Sequence, residues 1–129
     1  MKKGKKSERS KLVTKLDTAC SKYIRLRDGE CVICGNVNDA NNGHLFTRNA
    51  HSTRWDITED GNCHQQCWPC NYAHEMDPYP YINWYIKKFG QEKYDALRFR
   101  FKTPRKFSEA ELEEMLEHIK EQTKLLTSE

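Results

Sequence analysis

Long apolar runs are missing from this chain of 129 residues. None approaches the roughly 20 residues that a membrane-spanning helix requires. The positively charged start is not followed by the apolar segment of a secretory signal. Together these absences predict a soluble, cytoplasmic protein with no membrane partner. Apolar residues are scarce in general, 36% against 32% charged, so the core should be thin for a single domain of this length. There is no internal repeat. Something besides apolar burial must help hold the fold, and the six cysteines indicate what.

Six cysteines can form three disulfides in a secreted miniature domain. Here there is no export pattern, and the chain is longer than most disulfide scaffolds. Four of the six fall in two Cys-x-x-Cys pairs, Cys31/Cys34 and Cys67/Cys70. That gap lets both thiolates of a pair point at one metal, and Gly35 supplies the tight turn that follows the first. Two such knuckles complete a tetrahedral, structural zinc site with no open position. Cys63 or His64 could replace one ligand, but neither has knuckle spacing to Cys70. Cys20 falls on an apolar helical stripe and is read as core.

The net charge of +3 hides an uneven distribution. Residues 1–30 carry ten Lys/Arg against four Asp/Glu, and Arg98, Arg100, Lys102, Arg105 and Lys106 form a second basic segment. From Ser108 onward the sign reverses, with seven Glu against two Lys. Charge runs are often only solvated faces, but two basic stretches flanking a zinc module point to a polyanion partner.

The organisation follows from pattern. Residues 1–8 read as a disordered basic tail and 9–129 as one domain. A helix is predicted over about 9–28, where Leu12, Leu16, Ala19, Cys20, Tyr23 and Ile24 recur at helical spacing and Asp28-Gly29 ends the run. Lys11, Lys15, Lys22 and Arg25 make a basic stripe beside it. Residues 30–76 read as knuckle, short strand, loop, short strand, then a helix from near Pro69. The part from 78 to 129 is predicted helical: an aromatic helix over 79–89 whose Tyr81, Trp84, Tyr85 and Phe89 read as core, a short helix over 92–101, and a last helix behind the Ser108-x-x-Glu111 capping box. The last helix carries Leu112, Met115, Leu116, Ile119 and Leu126 on one face, which either packs within the chain or forms a dimer contact.

Between the knuckles, His44, Asn62 and Asn71 occur in order, Asn71 lying nine residues after Asn62 and Asn62 five before Cys67. This pattern resembles the HNH (His-Me finger) nucleases in which two zinc knuckles brace a ββα-metal motif. A closer resemblance is to the NinG (Rap) family of phage recombination endonucleases, over about residues 10–100. It is carried by Tyr23-Ile24-Arg25-Leu26-Arg27-Asp28, Cys31-x-x-Cys34-Gly35, Gly43-His44, Thr53-Arg54-Trp55-Asp56 and Asn62-x-His64-x-Gln66-Cys67-x-x-Cys70-Asn71. The resemblance implies an α+β fold: a ββα-metal, treble-clef-like core with a four-cysteine zinc site, flanked by N- and C-terminal helices. It also implies a structure-specific endonuclease acting on branched DNA, four-way junctions or flaps, in the bacterial host's cytoplasm.

In that reading His44 is the general base and Asn62 fixes the loop that orients it. Asn71 is a ligand to a catalytic Mg²⁺ or Mn²⁺, for which an amide oxygen and a carboxylate are suitable hard donors. Some family members use the residue before the base as a further ligand, but Gly43 offers no side chain. Glu75, one helical turn after Asn71, is the first alternative and Asp39 the second, and Asn41 beside it could also supply an oxygen. Arg48 and Arg54 are candidate phosphate clamps, while Lys11, Lys15, Lys22, Arg25, Arg98 and Arg100 are candidates for the DNA arms. His64 is a residue contacting substrate or packing near the zinc; His51 and His74 have weaker claims, and His118 reads as surface. Trp55 reads as structural. Cutting two opposed strands would suit a homodimer. Two other functions fit the residues: a zinc-stabilised DNA-binding module without catalysis, and a protein-interaction adaptor using the acidic last helix.

Overall fold

Ser7 starts the first helix by accepting the backbone N–H of Ser10 at 3.1 Å, which satisfies one of the free donors at a helix start. The computed structural model describes residues 7–128, so most of the expected basic tail lies outside the described residues. Its end at residue 8 is corrected, because helix α1 (Glu8–Asp28) already includes Glu8. Gly29 terminates α1 at φ 75°, a left-handed conformation that glycine adopts without steric cost. The elements that follow are β1 (Ala40–His44), α2 (His51–Arg54), β2 (Cys63–Cys67), α3 (Trp68–Met76), α4 (Tyr79–Phe89), α5 (Gln91–Lys102) and α6 (Glu109–Thr127). The fold is thus helix-rich α+β with one two-stranded sheet. No helix among the described residues is long and apolar enough to cross a membrane.

The apolar stripe of α1 becomes the main core. Leu12, Leu16, Cys20 and Ile24 are buried and meet Leu112, Leu116 and Ile119 of α6, with Trp55, Ile57 and Cys63 closing the cluster. The sequence left open whether α6 packs within the chain; it lies against α1. Its capping box forms in full, with Ser108 and Glu111 exchanging side-chain-to-backbone bonds of 3.1 Å each. Leu126, expected on the packed face, is instead exposed at the end of the helix. A second core gathers Leu45, Tyr81, Tyr85 and Leu97, with Trp84 and Phe89 packed against it, so the aromatic helix is core as its pattern predicts.

The two strands pair antiparallel, Ala40 opposite Cys67 and His44 opposite Cys63. All five residues of β2 are buried, although two are glutamines and one is a histidine. The single-turn helix α2 within the loop was not expected, since four residues are too few to show periodicity.

Gly43 is required by close packing across the hairpin. A Cβ there would overlap the side-chain amide of Gln66 and stand 2.8 Å from its Cγ and Cδ, and Gln66 is itself buried. Gly43→Ala is therefore expected to destabilise the fold by about 1–3 kcal/mol, as overpacking does. Thermal denaturation beside wild type measures it, and an unchanged melting temperature would show that Gln66 can swing aside.

Candidate functional site

Two features of the fold have chemistry to offer, and they flank the same hairpin. The first is the cysteine cluster. Gly35, at φ 80°, turns the first knuckle so that its N–H reaches the Cys31 carbonyl at 2.8 Å. The Val32 N–H then fastens this knuckle to Gln65 O of β2 at 2.9 Å. The second knuckle runs off the end of β2 into α3, with Pro69 in the first helical turn. The Sγ atoms of Cys31, Cys34, Cys67 and Cys70 lie within 4.8 Å of one another. Cys34 and Cys67 are 3.6 Å apart, close to the ~3.8 Å that tetrahedral geometry requires with Zn–S bonds of about 2.3 Å.

The four could hold a zinc ion. Burial opposes ionisation of Cys31, but the N–H groups of Cys34, Cys67 and Ile33 outweigh it and bring the thiol down to about 7. Burial and the neighbouring sulfurs push Cys70 in the opposite direction. One thiolate forms readily while the next is resisted, a conflict that a dication relieves. Cys63 is excluded from the cluster: its sulfur is buried in the main core, 3.9 Å from that of Cys20.

The second feature is a cavity of about 700 Å³ between α1, β1, the α2 loop and α3. It brings together His44, Arg48, Arg54, Asn71 and Glu75 from the sequence reading. Asn41 lines it too, whereas Asp39 does not: Asp39 sits just before β1, where its carbonyl accepts the Trp68 N–H at 2.9 Å.

His44 is half-buried at the end of β1, with Nε2 2.9 Å from the Arg54 carbonyl. A carbonyl only accepts, so Nε2 carries the proton and the Nδ1 lone pair is left free in the neutral ring. Burial holds the imidazole below its usual 6.5. The Arg54 carbonyl and Asp17 pull the value upward; the positive charges of Arg48 and Arg54 add to the lowering. Asn62, fully buried, clamps the backbone two residues beyond His44: its Oδ1 accepts the Phe46 N–H at 2.8 Å and its Nδ2 donates to Phe46 O at 2.9 Å. Both polar ends of this amide are spent on the turn that follows β1.

Two residues of the cavity were missed or underrated. Asp17 comes from α1, receives both Arg54 Nε at 2.9 Å and Nη2 at 2.6 Å, and accepts the Trp55 indole N–H at 2.7 Å. Burial alone would raise its carboxyl, but these donors and the nearby arginine charges lower it. The Arg54 guanidinium is accordingly committed to Asp17, so its expected role as a free phosphate clamp is corrected to that of a strut. His74 donates from Nε2 to Leu45 O at 2.8 Å and leaves a buried Nδ1 without a partner. Its place one turn from Asn71 on α3 was the available signal.

The other candidates are dispersed. His64 points away from the cavity into the second core, hydrogen-bonded to Tyr81 and Glu59 O, and burial takes it down to about 4. It packs in the second core and does not line the cavity of His44. Lys15 and Lys22 border a separate groove between α1 and α6. Lys11 pairs with Glu8 at 3.3 Å and Arg100 with Asp56 at 2.7 Å, while Lys11, Arg25, Arg98 and Arg100 do not line the cavity. His118 is exposed as expected.

Fold and site thus define a helix-rich α+β protein built on a two-stranded hairpin, with a four-cysteine cluster able to hold a metal. The chain belongs to the NinG family: the family model described as Bacteriophage Lambda NinG protein matches residues 1–129. No curated protein and no solved structure matches it.

Proposed function

We propose that this NinG-family protein is a metal-dependent endonuclease that hydrolyses phosphodiester bonds in branched DNA. In this reading β1, β2 and α3 form a ββα-metal motif braced by zinc. The observation that carries it is the setting of His44: Nε2 is anchored on a backbone carbonyl and the ring is kept neutral. The cavity beside it has Asn71 and Glu75 on one face of α3. A base that deprotonates water needs this tautomer and this protonation state at neutral pH.

The amide oxygen of Asn71 and the carboxylate of Glu75 are hard donors that fit Mg²⁺ or Mn²⁺. Such an ion commonly takes few protein ligands and completes its shell with water and phosphate. When bound, it would stabilise charge on the phosphate and the departing 3′-oxygen. The side chains do the rest. His44 accepts the proton of the attacking water at Nδ1. Asn62 keeps the chain after His44 from shifting, and Asp17 holds Arg54, and with it the carbonyl that fixes the imidazole. Arg48, exposed at the rim, is placed to meet a phosphate.

The test is incubation of the zinc-loaded protein with a labelled four-way junction, a flap and a linear duplex, with and without Mg²⁺ or Mn²⁺. Cutting of the branched substrates that requires the ion is expected. Binding without cutting in both ions would leave the zinc-stabilised DNA-binding module as the function.

The pH profile offers an independent check. His44 must be unprotonated to act, and its value lies below 6.5, so activity should persist below pH 6.5 and fall only as pH drops through that depressed value. Arg48 contributes to the lowering, so Arg48→Ala should move the acid limb upward toward 6.5. Profiles of kcat/KM for the two proteins measure the shift, and coincident limbs would count against His44 as the titrating base.

A further inference from the structure

The two helices that form the main core leave a groove of about 520 Å³ on their outer side, away from the cavity of His44. Lys15 and Lys22 of α1 border it with Lys120 and Lys124 of α6, all four exposed. The last helix, acidic in sequence, therefore adds its two lysines to the basic stripe of α1. One of them, Lys120, lies 3.7 Å from Glu117, an exposed pair that holds the ammonium only weakly.

Between the lysines the surface is largely apolar. Ala19 and Leu116 contribute hydrocarbon, and four threonines line the walls. Each threonine hydroxyl is already donated to its own helix: Thr14 to Ser10 O, Thr18 to Thr14 O, Thr123 to Ile119 O and Thr127 to Thr123 O, at 2.8–3.2 Å. Those oxygens remain able to accept but have no proton left to give. A DNA phosphate could take the lysine N–H donors, but it would leave the apolar floor between them uncovered. A peptide offers backbone N–H groups to the threonine oxygens, apolar side chains to the floor and carboxylates to the lysines.

We infer that this groove docks a partner protein through a short acidic segment carrying apolar side chains. The segment lays hydrocarbon along Ala19 and Leu116 while its carboxylates meet the four ammonium groups, an arrangement in which charge steers encounter and apolar burial holds the complex. This site is independent of the endonuclease reading, and nothing in it requires cleavage. It assigns Lys15 and Lys22 to protein docking rather than to the arms of a DNA substrate.

The test uses the full-length, zinc-loaded protein and a fluorescein-labelled ten-residue peptide of alternating Asp and Leu, read by fluorescence anisotropy. Saturable binding is expected, weakening with salt. It should fall at least about tenfold, or ~1.4 kcal/mol, in the variant combining Lys15→Glu, Lys22→Glu, Lys120→Glu and Lys124→Glu. Thr18→Tyr, which fills the groove without changing charge, should weaken binding as well. Lys11→Glu with Arg25→Glu, a charge reversal outside the groove, should leave it near wild type. No binding of the peptide, or equal loss in the outside variant, would overturn the assignment. So would a DNA duplex that binds through the four lysines and through Thr18 while the peptide does not. All substituted side chains are exposed except Lys11, which is half-buried, and the zinc content of each variant checks that it has folded.

Discussion

His44→Ala protein is expected to bind a four-way junction within a few-fold of wild type and to cut it about 10²–10⁴-fold more slowly, the usual contribution of a positioned acid or base. Affinity should survive because the imidazole forms no ion pair and its one hydrogen bond is to the Arg54 carbonyl. Losing that bond leaves the carbonyl one partner short at the edge of an open cavity, where water can replace it. The Asp17–Arg54–Trp55 contacts do not pass through the ring and should persist. Single-turnover cleavage and anisotropy binding on the same substrate separate the two effects. Wild-type cutting by the variant would remove His44 from the reaction. Parallel loss of binding and cutting would make it a residue of the interface.

Cys67→Ser protein is expected to lose its zinc and most of its cooperative folding. Structural zinc contributes an apparent ~10–16 kcal/mol in small domains at neutral pH, comparable to or larger than the ~5–15 kcal/mol that separates typical folded and unfolded states. The thin core should make this chain especially dependent on such an ion. Cys67 ends β2 and caps α3, so its release uncouples the hairpin from the helix bearing Asn71 and Glu75. Cys63→Ala is the informative control, because that sulfur sits in the same strand but faces Cys20 in the core. Metal analysis should give one zinc per chain for wild type and for Cys63→Ala, and none for Cys67→Ser, with the loss of helix on heating following the metal. Zinc retained by Cys67→Ser, or lost from Cys63→Ala, would place the metal elsewhere.

The contrast between those two cysteines shows how far the sequence could be read. Both lie in one buried strand and both were possible ligands, but only Cys67 has a second cysteine three residues on. That spacing is a local constraint and survives any packing. The same holds for the helix over Glu8–Asp28, whose apolar stripe and terminal glycine are written along the chain, and for the capping box that starts α6. His64 is the opposite case. Its place beside the knuckle suggested metal or substrate, but it packs among Tyr81, Trp84 and Phe89. Alternation along β2 could not reveal this, since both faces of the strand are covered.

What the sequence by itself determined was local: the cysteine pairs, the limits of most elements, and the order of His44, Asn62 and Asn71 along the hairpin and helix. What only the tertiary structure decided was which distant side chains meet. Asp17 and Arg54 are 37 residues apart and belong to different patterns, yet their ion pair fixes one wall of the cavity. The lysines of α1 and α6, read separately as a basic stripe and as exceptions in an acidic helix, face one groove. The reason is physical. Spacing along a chain specifies which face of an element a residue occupies, whereas the angle and register at which two elements pack specify which faces touch, and those are set by the whole core.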